Sequence, residues 1–441
     1  MSKNSGVTTK ALSGFMELLP EEQIAFNDML DVIRNTYETF GFAPIDTPIL
    51  ERSNVLLAKA GGETEKQIYQ FTKGKSELAM RFDLTVPLSR YVVEHYGDLT
   101  FPFRRYSIGK VFRGERSQAG RFRELYQCDI DVVGDGVLDI QFDAEIPSII
   151  YTIFKKLGFD KFTIRVNNRK ILNGLFEGLG VDEFKVDIMR AIDKLEKIGR
   201  EAVELELSSL GVSSEEISNI FDFLTIKGDS EQVLSELRKL DINNLGFEEG
   251  VKELQKVTEM MKQFNVPETN FIIDLTIARG LDYYTGTVYE TQLDEYPEIG
   301  SVCSGGRYDD LASAYTNRKL PGVGMSIGLT RLFDQLNSRD LLDISFATKT
   351  KVLVVPMTED IDSSIAIATV LRNDNIFTEI SFNTGSKLKK RLAYANKKGI
   401  PFVIFIGEDE IEKGVYMLKD FEKGTQEILD EEMLLQKLRK V

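Results

Sequence analysis

A dense group of cations lies in residues 104–123, where two β-like runs flank a Ser-Gln-Ala-Gly turn and predict a hairpin. The planar guanidinium of arginine forms paired hydrogen bonds with phosphate oxygens, so a hairpin with several arginines could hold a polyphosphate without a glycine-rich loop. An exposed basic hairpin with surface ion pairs is the alternative. The stretch contains one acid and seven basic residues, namely Glu115, Arg104, Arg105, Lys110, Arg113, Arg116, Arg121 and Arg123.

A second candidate binding segment is residues 279–290, Arg-Gly-Leu-Asp-Tyr-Tyr-Thr-Gly-Thr-Val-Tyr-Glu. It places a cation, a carboxylate and two adjacent tyrosines before a predicted strand. Tyrosine can stack on or hydrogen-bond a flat substrate, while the neighbouring arginine supplies fixed positive charge. A turn leading into a strand with aromatic core residues is the alternative.

Two glycine-rich segments, residues 301–309 and 322–332, would let a ligand approach the backbone closely. The second begins Gly-Val-Gly-Met-Ser-Ile-Gly, which is GxGxxxG spacing rather than the GxGxxG of dinucleotide-binding folds. No clear βαβ pattern surrounds it. The sequence therefore argues against a Rossmann nucleotide site.

The composition excludes several chemistries. One histidine, His95, and two cysteines, Cys128 and Cys303, are too few for a protein-ligated zinc site, so we expect none. A serine or cysteine nucleophile would have to rely on His95, which lies in a predicted helix far from any nucleophile motif. The low cysteine count also argues against a disulfide framework and indicates a reducing, cytoplasmic compartment.

The charge distribution narrows the choice of partners. The 441 residues carry a net charge of −15, which argues against a generally basic nucleic-acid binder, and we expect no DNA partner. No apolar run approaches the ~20 residues that a membrane span needs, so no membrane association is expected. Residues 349–441 hold 15 basic and 15 acidic residues, so the negative excess lies upstream. A local cluster there predicts either a phosphate-contacting surface or a solvated helix face: Lys387, Lys389, Lys390, Arg391, Lys397 and Lys398.

The elements that must position these residues fall into several segments. An amphipathic helix is predicted over 20–40, followed by short strands that favour a mostly antiparallel sheet with flanking helices. Helical periodicity then replaces strand character, and near the C-terminus strands and helices alternate, as in an α/β domain with parallel strands. The prediction is a catalytic core formed by residues 1–167 and 269–337, interrupted by a helical insertion at 168–268 and followed by a linker at 338–350 and the α/β domain at 351–441.

Taken together and in order, these segments resemble the histidyl-tRNA synthetases, which are class II aminoacyl-tRNA synthetases. The helix at 20–40 and the run 42–48 are similar to motif 1, residues 104–134 to motif 2, and residues 322–332 to motif 3. The sequences RGLDYY and SGGRYD, within 279–290 and 301–309, are similar to two stretches peculiar to the histidine enzymes. The resemblance covers essentially the whole chain.

The resemblance implies an α+β fold: a six- or seven-stranded antiparallel class II sheet with flanking helices, a helical insertion and a C-terminal α/β anticodon-binding domain. It also implies a homodimer formed through motif 1. The implied reaction joins histidine to ATP, giving histidyl-adenylate and pyrophosphate, and then transfers histidine to the 3′ end of tRNA(His). Magnesium is expected to accompany ATP.

The resemblance also assigns site residues. Arg113 and Arg279 would flank the α-phosphate and catalyse adenylate formation, and Asp83 would pair with the substrate ammonium. The implied histidine-binding set is Asp83, Leu84, Thr85, Arg113, Gln127, Asp131, Arg279, Tyr283 and Tyr284. The implied ATP-binding set is Arg113, Glu115, Arg121 and Arg331. The candidate tRNA contacts are Lys387, Lys389, Lys390 and Arg391.

A non-catalytic relative is the main alternative. Synthetase-like regulatory subunits of histidine biosynthesis keep the class II body, lose catalytic residues and usually lack the anticodon-binding domain. Here Arg113, Gln127, Arg279 and both tyrosines are present, and so is the final domain. The sequence therefore favours the enzyme.

Overall fold

The computed structural model describes residues 8–58, 62–115, 120–277, 283–344, 347–359, 361–382 and 387–440. Its internal contacts divide the described chain into two units, the first with residues 8–16 and 29–339 and the second with residues 17–28 and 340–440. No helix in the described ranges combines the length and apolar character that crossing a bilayer requires.

The first unit is built on strands connected by helices and long loops. Its strands are β1 Ala43–Pro44, β2 Leu50–Arg52, β3 Gln70–Lys73, β4 Ser76–Met80, β5 Phe103–Phe112, β6 Glu124–Val133, β7 Phe162–Asn168, β8 Phe271–Ile273, β9 Thr287–Leu293, β10 Cys303–Tyr308 and β11 Gly322–Gly328. Helix α1 Pro20–Thr39 belongs to this unit from residue 29 onward. The other helices of the unit are α2 Ser53–Leu57, α3 Gly62–Gln67, α4 Thr85–Glu94, α5 Gln141–Lys156, α6 Arg169–Leu179, α7 Lys185–Ile192, α8 Leu195–Ile198, α9 Arg200–Ser209, α10 Ser214–Leu224, α11 Ser230–Lys239, α12 Leu245–Gln263 and α13 Leu329–Asn337.

The main sheet has eight strands in the order β1-β5-β6-β11-β10-β9-β7-β8. The six inner strands pair antiparallel, whereas β1 and β8 join the two edges in parallel. The α+β class predicted from the sequence is confirmed, but the count of six or seven strands is wrong. The short edge strand β1 spans two residues, too few for a side-chain alternation that a sequence pattern could reveal.

Helix α1 follows the predicted amphipathic pattern. Pro20 begins it and Gly41, with φ of 77°, follows its end. Ile33 and Tyr37 are fully buried, and the Tyr37 hydroxyl donates to the Cys128 carbonyl at 2.8 Å. The helix is therefore tied to β6, the strand that also carries site residues.

Helices α6–α12 follow one another between β7 and β8, and residues 168–270 are all described. Capping boxes at Ser213 and Asp229 begin α10 and α11. Helices α6 and α12 pack closely at Gly250, where a Cβ would lie only 2.8 Å from the Ile171 side chain. This stretch carries its own buried apolar residues apart from the sheet strands.

The second unit is a small α/β domain. It contains β12 Val352–Pro356, α14 Asp362–Asn373, β13 Thr378–Ile380, α15 Leu388–Lys398, β14 Phe402–Ile406, α16 Glu408–Lys413, β15 Tyr416–Asp420, β16 Thr425–Leu429 and α17 Glu431–Leu438. The predicted parallel arrangement is confirmed for β13-β12-β14. Strands β15 and β16 extend the sheet antiparallel and were not among the predicted elements.

Candidate active site

A cavity of about 740 Å³ opens on one face of the eight-stranded sheet. Gln127, Asp129 and Asp131 of β6 line it together. These residues are two positions apart, and alternate side chains of a strand share a face, so β6 delivers an amide and two carboxylates to one surface. The floor of the cavity is consequently polar and acidic at this end.

Asp131 is the centre of a buried charged cluster. The fully buried Arg105 on neighbouring β5 forms an ion pair with it, and the Tyr308 hydroxyl donates to its Oδ1 at 2.8 Å. Arg105 and Asp131 are directly paired in the β5–β6 register. Gly324 lies opposite on β11, where a Cβ would come within 2.3 Å of Asp131 Oδ1. Glycine is therefore needed there to make room for the carboxylate.

A third carboxylate enters the cavity from the loop before α4. Asp83 is buried, and its Oδ1 accepts a hydrogen bond from the Val86 backbone N–H at 3.0 Å. Thr85, the first residue of α4, also lines the cavity. The helix N-terminus contributes favourable partial charge to the Asp83 carboxylate.

Three tyrosines form an aromatic wall beside the carboxylates. The rings of Tyr283 and Tyr284 lie 5.0 Å apart at 67°, and those of Tyr283 and Tyr308 lie 5.8 Å apart at 84°. All three line the cavity. Edge-to-face rings of this kind give a rigid aromatic surface that still presents hydroxyl groups to a ligand.

Basic residues line another region of the same cavity. Arg113 follows β5, with its guanidinium 4.6 Å from the centre of the Phe82 ring and its Nε donating to the Phe82 carbonyl at 3.4 Å. Arg121 and Arg331 also line the cavity, and Arg331 donates to the Ile299 carbonyl. One cavity thus holds carboxylates suited to a cationic group and guanidinium groups suited to an anion.

Burial shifts the ionisation of these groups. It raises the pKa of Asp129 to about 7 and that of Asp131 to about 6, although Arg105 opposes both shifts. It also raises the pKa of Asp83 and lowers that of Arg113. Three desolvated carboxylates close together favour a ligand that brings positive charge, because that charge stabilises their ionised forms.

Comparison with known proteins decides the family. The family model for histidyl-tRNA synthetase matches residues 14–332, and the model for an anticodon binding domain matches residues 351–441. The chain belongs to the histidyl-tRNA synthetase family. The resemblance inferred from the sequence motifs is confirmed.

Individual relatives agree with the family assignment. A Histidine–tRNA ligase of Clostridium tetani is 58% identical, over 96% of this chain and 97% of its own. One from Xanthomonas axonopodis pv. citri is 47% identical, over 94% and 92%. The crystal structure of histidyl-tRNA synthetase from Nostoc sp. PCC 7120 superimposes with a TM-score of 0.90 at 40% identity, covering 98% of this chain and 99% of that one.

Most residues assigned by the histidyl-tRNA synthetase resemblance meet in the cavity. Those that line it are Asp83, Thr85, Arg113, Arg121, Gln127, Asp131, Tyr283, Tyr284 and Arg331. Arg279 lies outside the described residues.

Three assigned side chains are not brought to the predicted surfaces. Leu84 is buried and is not among the cavity-lining residues; its carbonyl accepts from Arg105 at 3.4 Å. Glu115 does not line the cavity and pairs with Arg121 at 3.4 Å. Arg391 is buried in the second unit, where its Nη1 donates to the Pro356 carbonyl at 2.6 Å. Arg391 therefore belongs to the packing of that domain rather than to an exposed basic surface.

The sequence interpretation of the basic hairpin also needs correction. The sequence pattern places Arg105 among the phosphate-binding candidates, but Arg105 forms a buried ion pair with Asp131 instead. Arg104 points to the other face, where it pairs with Glu145 at 2.9 Å and lies 4.5 Å over the Phe42 ring. Neighbouring residues of a strand point to opposite faces of the sheet, so Arg104 and Arg105 are separated. This alternation was the sequence signal that could have shown that they do not act together.

Several cavity residues are outside the set assigned by resemblance, and two of them are Asp129 and Ser326. Asp129 lies between Gln127 and Asp131 on the same face of β6, so the same alternation could have identified it. Ser326 comes from β11, and only the strand register places it opposite Asp129. Among the described residues, no three histidine, cysteine or acidic side chains gather in a way that could hold a metal ion.

Proposed function

We infer that this chain is a histidine–tRNA ligase that activates histidine with ATP and then transfers it to tRNA(His). The observation that carries this inference is one cavity with carboxylates and tyrosines beside guanidinium groups, in a chain 58% identical to a Histidine–tRNA ligase over nearly its whole length. Such a cavity matches an amino acid with a cationic ammonium and a polar ring next to a triphosphate.

The amino acid would bind at the acidic end. Asp83 is suited to pair with the ammonium, with Thr85 and Gln127 as further polar contacts. Asp131 is suited to accept from an imidazole N–H, and Tyr284 offers a second polar contact. An amino acid that lacks ring nitrogens would leave these buried groups unpaired, which discriminates strongly against it.

The guanidinium groups would act on the phosphates. A histidine carboxylate oxygen attacks the α-phosphorus, the bond to the β-phosphate breaks, and pyrophosphate leaves. Negative charge on the phosphoryl oxygens grows in the transition state, and Arg113 would stabilise it there more than in bound ATP. The attacking carboxylate is already ionised, so no protein base is needed. By family resemblance, Arg279 would provide the second guanidinium, while Arg121 and Arg331 would hold the outer phosphates.

Magnesium would enter with ATP. This ion commonly takes one or two carboxylates together with phosphate oxygens and water, so a dedicated protein cage is not required. Glu290 and Glu298 line the cavity together with Arg331 and fit that donor set. When bound, the ion neutralises charge on the phosphates. In the second step the terminal ribose hydroxyl of tRNA attacks the carbonyl carbon of the adenylate, and the bond from that carbon to the phosphate oxygen breaks. AMP leaves, and the hydroxyl proton passes to its phosphate or to water.

The function is tested by pyrophosphate exchange with the full chain. Labelled pyrophosphate is expected to enter ATP when histidine is present and not when any other standard amino acid replaces it. Exchange that another amino acid stimulates equally would contradict the proposed specificity. No exchange with histidine, in protein whose folding is verified by circular dichroism, would contradict the activity itself.

The second unit is proposed to contact tRNA through the start of α15. Lys387, Lys389 and Lys390 are exposed there, in the domain whose family model is named for anticodon binding. Phosphate contacts make binding depend on salt, because each one releases condensed counterions. Arg391 is not included, since it is buried.

Reversing two of these charges gives a direct prediction. Lys389→Glu with Lys390→Glu is expected to weaken binding of a tRNA(His) transcript and to flatten the slope of log affinity against log salt by about two units, about one for each lysine. The matched control is Lys413→Glu with Lys423→Glu, two exposed lysines of the same unit with the same change in charge. Equal affinities and slopes for both double variants would show that the α15 surface is merely solvated.

Two further features are proposed from the resemblance and supported by the structure. A homodimer through motif 1 fits the exposed apolar residues Ile49 and Leu50, which directly follow that segment and are 41% and 46% accessible in the single chain. A cytoplasmic location fits Cys128 and Cys303, which are both buried and unpaired. Sedimentation of the purified chain measures its oligomeric state and so tests the proposed homodimer.

A regulatory subunit of histidine biosynthesis is the less supported alternative. The anticodon-binding family model matches residues 351–441, and the relatives at 47–58% identity are named as ligases. The exchange assay separates the two functions, since a regulatory subunit would not catalyse exchange.

A further inference from the structure

A row of side chains crosses the floor of the cavity on neighbouring strands β6 and β11. Ser326 on β11 is directly opposite Asp129 on β6 in the strand register, and Gln127 lies two residues before Asp129 on the same strand. All three line the cavity. Gln127 and Asp129 are buried, with 8% and 2% of their surface accessible, so their hydrogen bonds are made within the protein or to a ligand.

The hydrogen bonds of Ser326 have a defined direction. Ser326 lies directly opposite Asp129, and its hydroxyl lowers the pKa of the Asp129 carboxyl by hydrogen bonding to it. The Gln127 Nε2 donates to the Ser326 Oγ at 2.9 Å. An ionised carboxylate can only accept, so Ser326 must use its single proton on Asp129. Its oxygen is then available only as an acceptor, and the Gln127 NH₂ group is the donor that fits.

This direction determines how the Gln127 amide is turned. With Nε2 held against Ser326, the amide oxygen Oε1 is left on the other side of the group. Within the described residues, Oε1 is buried and has no hydrogen-bond partner. A buried amide oxygen without a partner carries a desolvation cost, which a donor from a bound ligand would remove.

The charge around this row indicates what kind of donor would bind. The carboxylates of Asp83 and Asp131 raise the pKa of Asp129 electrostatically, whereas the Arg105 guanidinium lowers it. Asp129 also interacts electrostatically with Arg113 and Tyr284, which line the same cavity. Among the described residues at this end of the cavity, three carboxylates lie near two guanidinium groups, and this excess of negative charge favours an ammonium over a neutral donor.

We propose that Ser326 and Asp129 are positioning residues for amino-acid binding, because together they hold the Gln127 amide with its oxygen directed to the substrate ammonium. Neither residue needs to touch the substrate. The inference rests on the proposed function and adds to it two residues from outside the set assigned by motif resemblance. Without the hydrogen bond from Gln127 to Ser326, the Gln127 amide is free to turn its NH₂ group toward the substrate ammonium. Two donors would then face each other, and the ammonium would bind less tightly.

The central experiment replaces Ser326 and compares ligands with and without the ammonium. Ser326→Ala is expected to weaken binding of histidine, and of histidinol, by roughly tenfold, the loss expected for a misdirected buried hydrogen bond. Binding of 3-(imidazol-4-yl)propionic acid, which lacks the amino group, is expected to be unchanged. Binding is measured by calorimetry at pH 8, above the pKa of about 7 to which burial raises Asp129. An equal loss for all three ligands would overturn the proposal.

A double-mutant cycle tests whether the effect passes through Gln127. In a Gln127→Ala background, Ser326→Ala is expected to change histidine affinity by less than about twofold, because the group that it positions is gone. A full loss in that background would also overturn the proposal. Ser326→Thr keeps the hydroxyl and suits a strand, so it is expected to restore histidine affinity.

A buried serine elsewhere provides the control for folding. Ser148→Ala on α5 removes a hydroxyl that donates to the Glu145 carbonyl at 2.6 Å, away from the cavity, and is expected to leave ligand affinity unchanged. The wild-type exchange assay tests the proposed function by itself. Active wild-type protein with unaltered Ser326→Ala affinity would therefore refute the positioning inference and leave the function standing.

Discussion

Replacing Arg113 with alanine is expected to lower the kcat of histidine-dependent pyrophosphate exchange by about 100- to 1,000-fold, the usual effect of removing one donor that stabilises transition-state charge. The histidine KM should change much less, because the ammonium and ring contacts remain. Arg113 is well placed for this role. Its guanidinium is held over the Phe82 ring, and its pKa is lowered by burial, so its charge acts in a poorly solvated cavity.

Two further variants make the Arg113 prediction specific. Arg113→Lys keeps a positive charge but loses the planar fork, so it should recover only a fraction of the rate. Arg190→Ala removes an exposed arginine of α7 that pairs with Asp187 and serves as the matched control. If Arg113→Ala retains wild-type turnover, Arg113 has no catalytic role and the phosphate assignment fails.

The second large effect concerns stability. Arg307→Met is expected to lower the free energy of unfolding of the first unit by about 3–5 kcal/mol, because it leaves a buried carboxylate without its counter-ion. Arg307 donates to both oxygens of the fully buried Asp143, at 2.6–3.1 Å, and to the Asp139 carbonyl at 3.2 Å. Burial already raises the pKa of Asp143 even with Arg307 present.

The double variant Arg307→Met with Asp143→Leu tests the physical cause. It removes both charges, so it should recover most of the stability that the single variant loses. Urea unfolding followed by circular dichroism measures the change, and hydrogen exchange of β9 and β10 assigns it to the first unit, since a chain of two units need not unfold in one step. A double variant as unstable as the single one would show that Arg307 acts through packing rather than charge.

Long periodic elements were predictable from the sequence because their signal is local. The amphipathic pattern at 20–40 corresponds to α1, and the strand–helix alternation after residue 351 corresponds to β12 through β14. The hairpin β15–β16 was not predicted, since short strands with exposed residues lack a clear hydrophobic alternation. The family itself followed from ordered motifs, and the comparisons confirm it.

The site was predictable in its residue types but not in its contacts. Nine of the residues assigned by resemblance line one cavity, whereas Leu84, Glu115 and Arg391 do not reach the predicted surfaces. Arg391 illustrates the reason. A run of lysines and arginines at the start of a helix covers more than one face of that helix. Which of these residues is buried depends on the elements that pack against the helix, and the sequence run does not show them.

The amino-acid sequence by itself determined the family, the fold class and the set of polar groups available to the active site. Each of these follows from the order of the motifs and the spacing of residues along the chain. Tertiary structure alone decided which groups pair with one another. Arg105 neutralises Asp131, and Ser326 reaches Asp129 across 197 positions of the chain. Such pairs depend on strand register and burial, and these arise only when distant segments share one sheet.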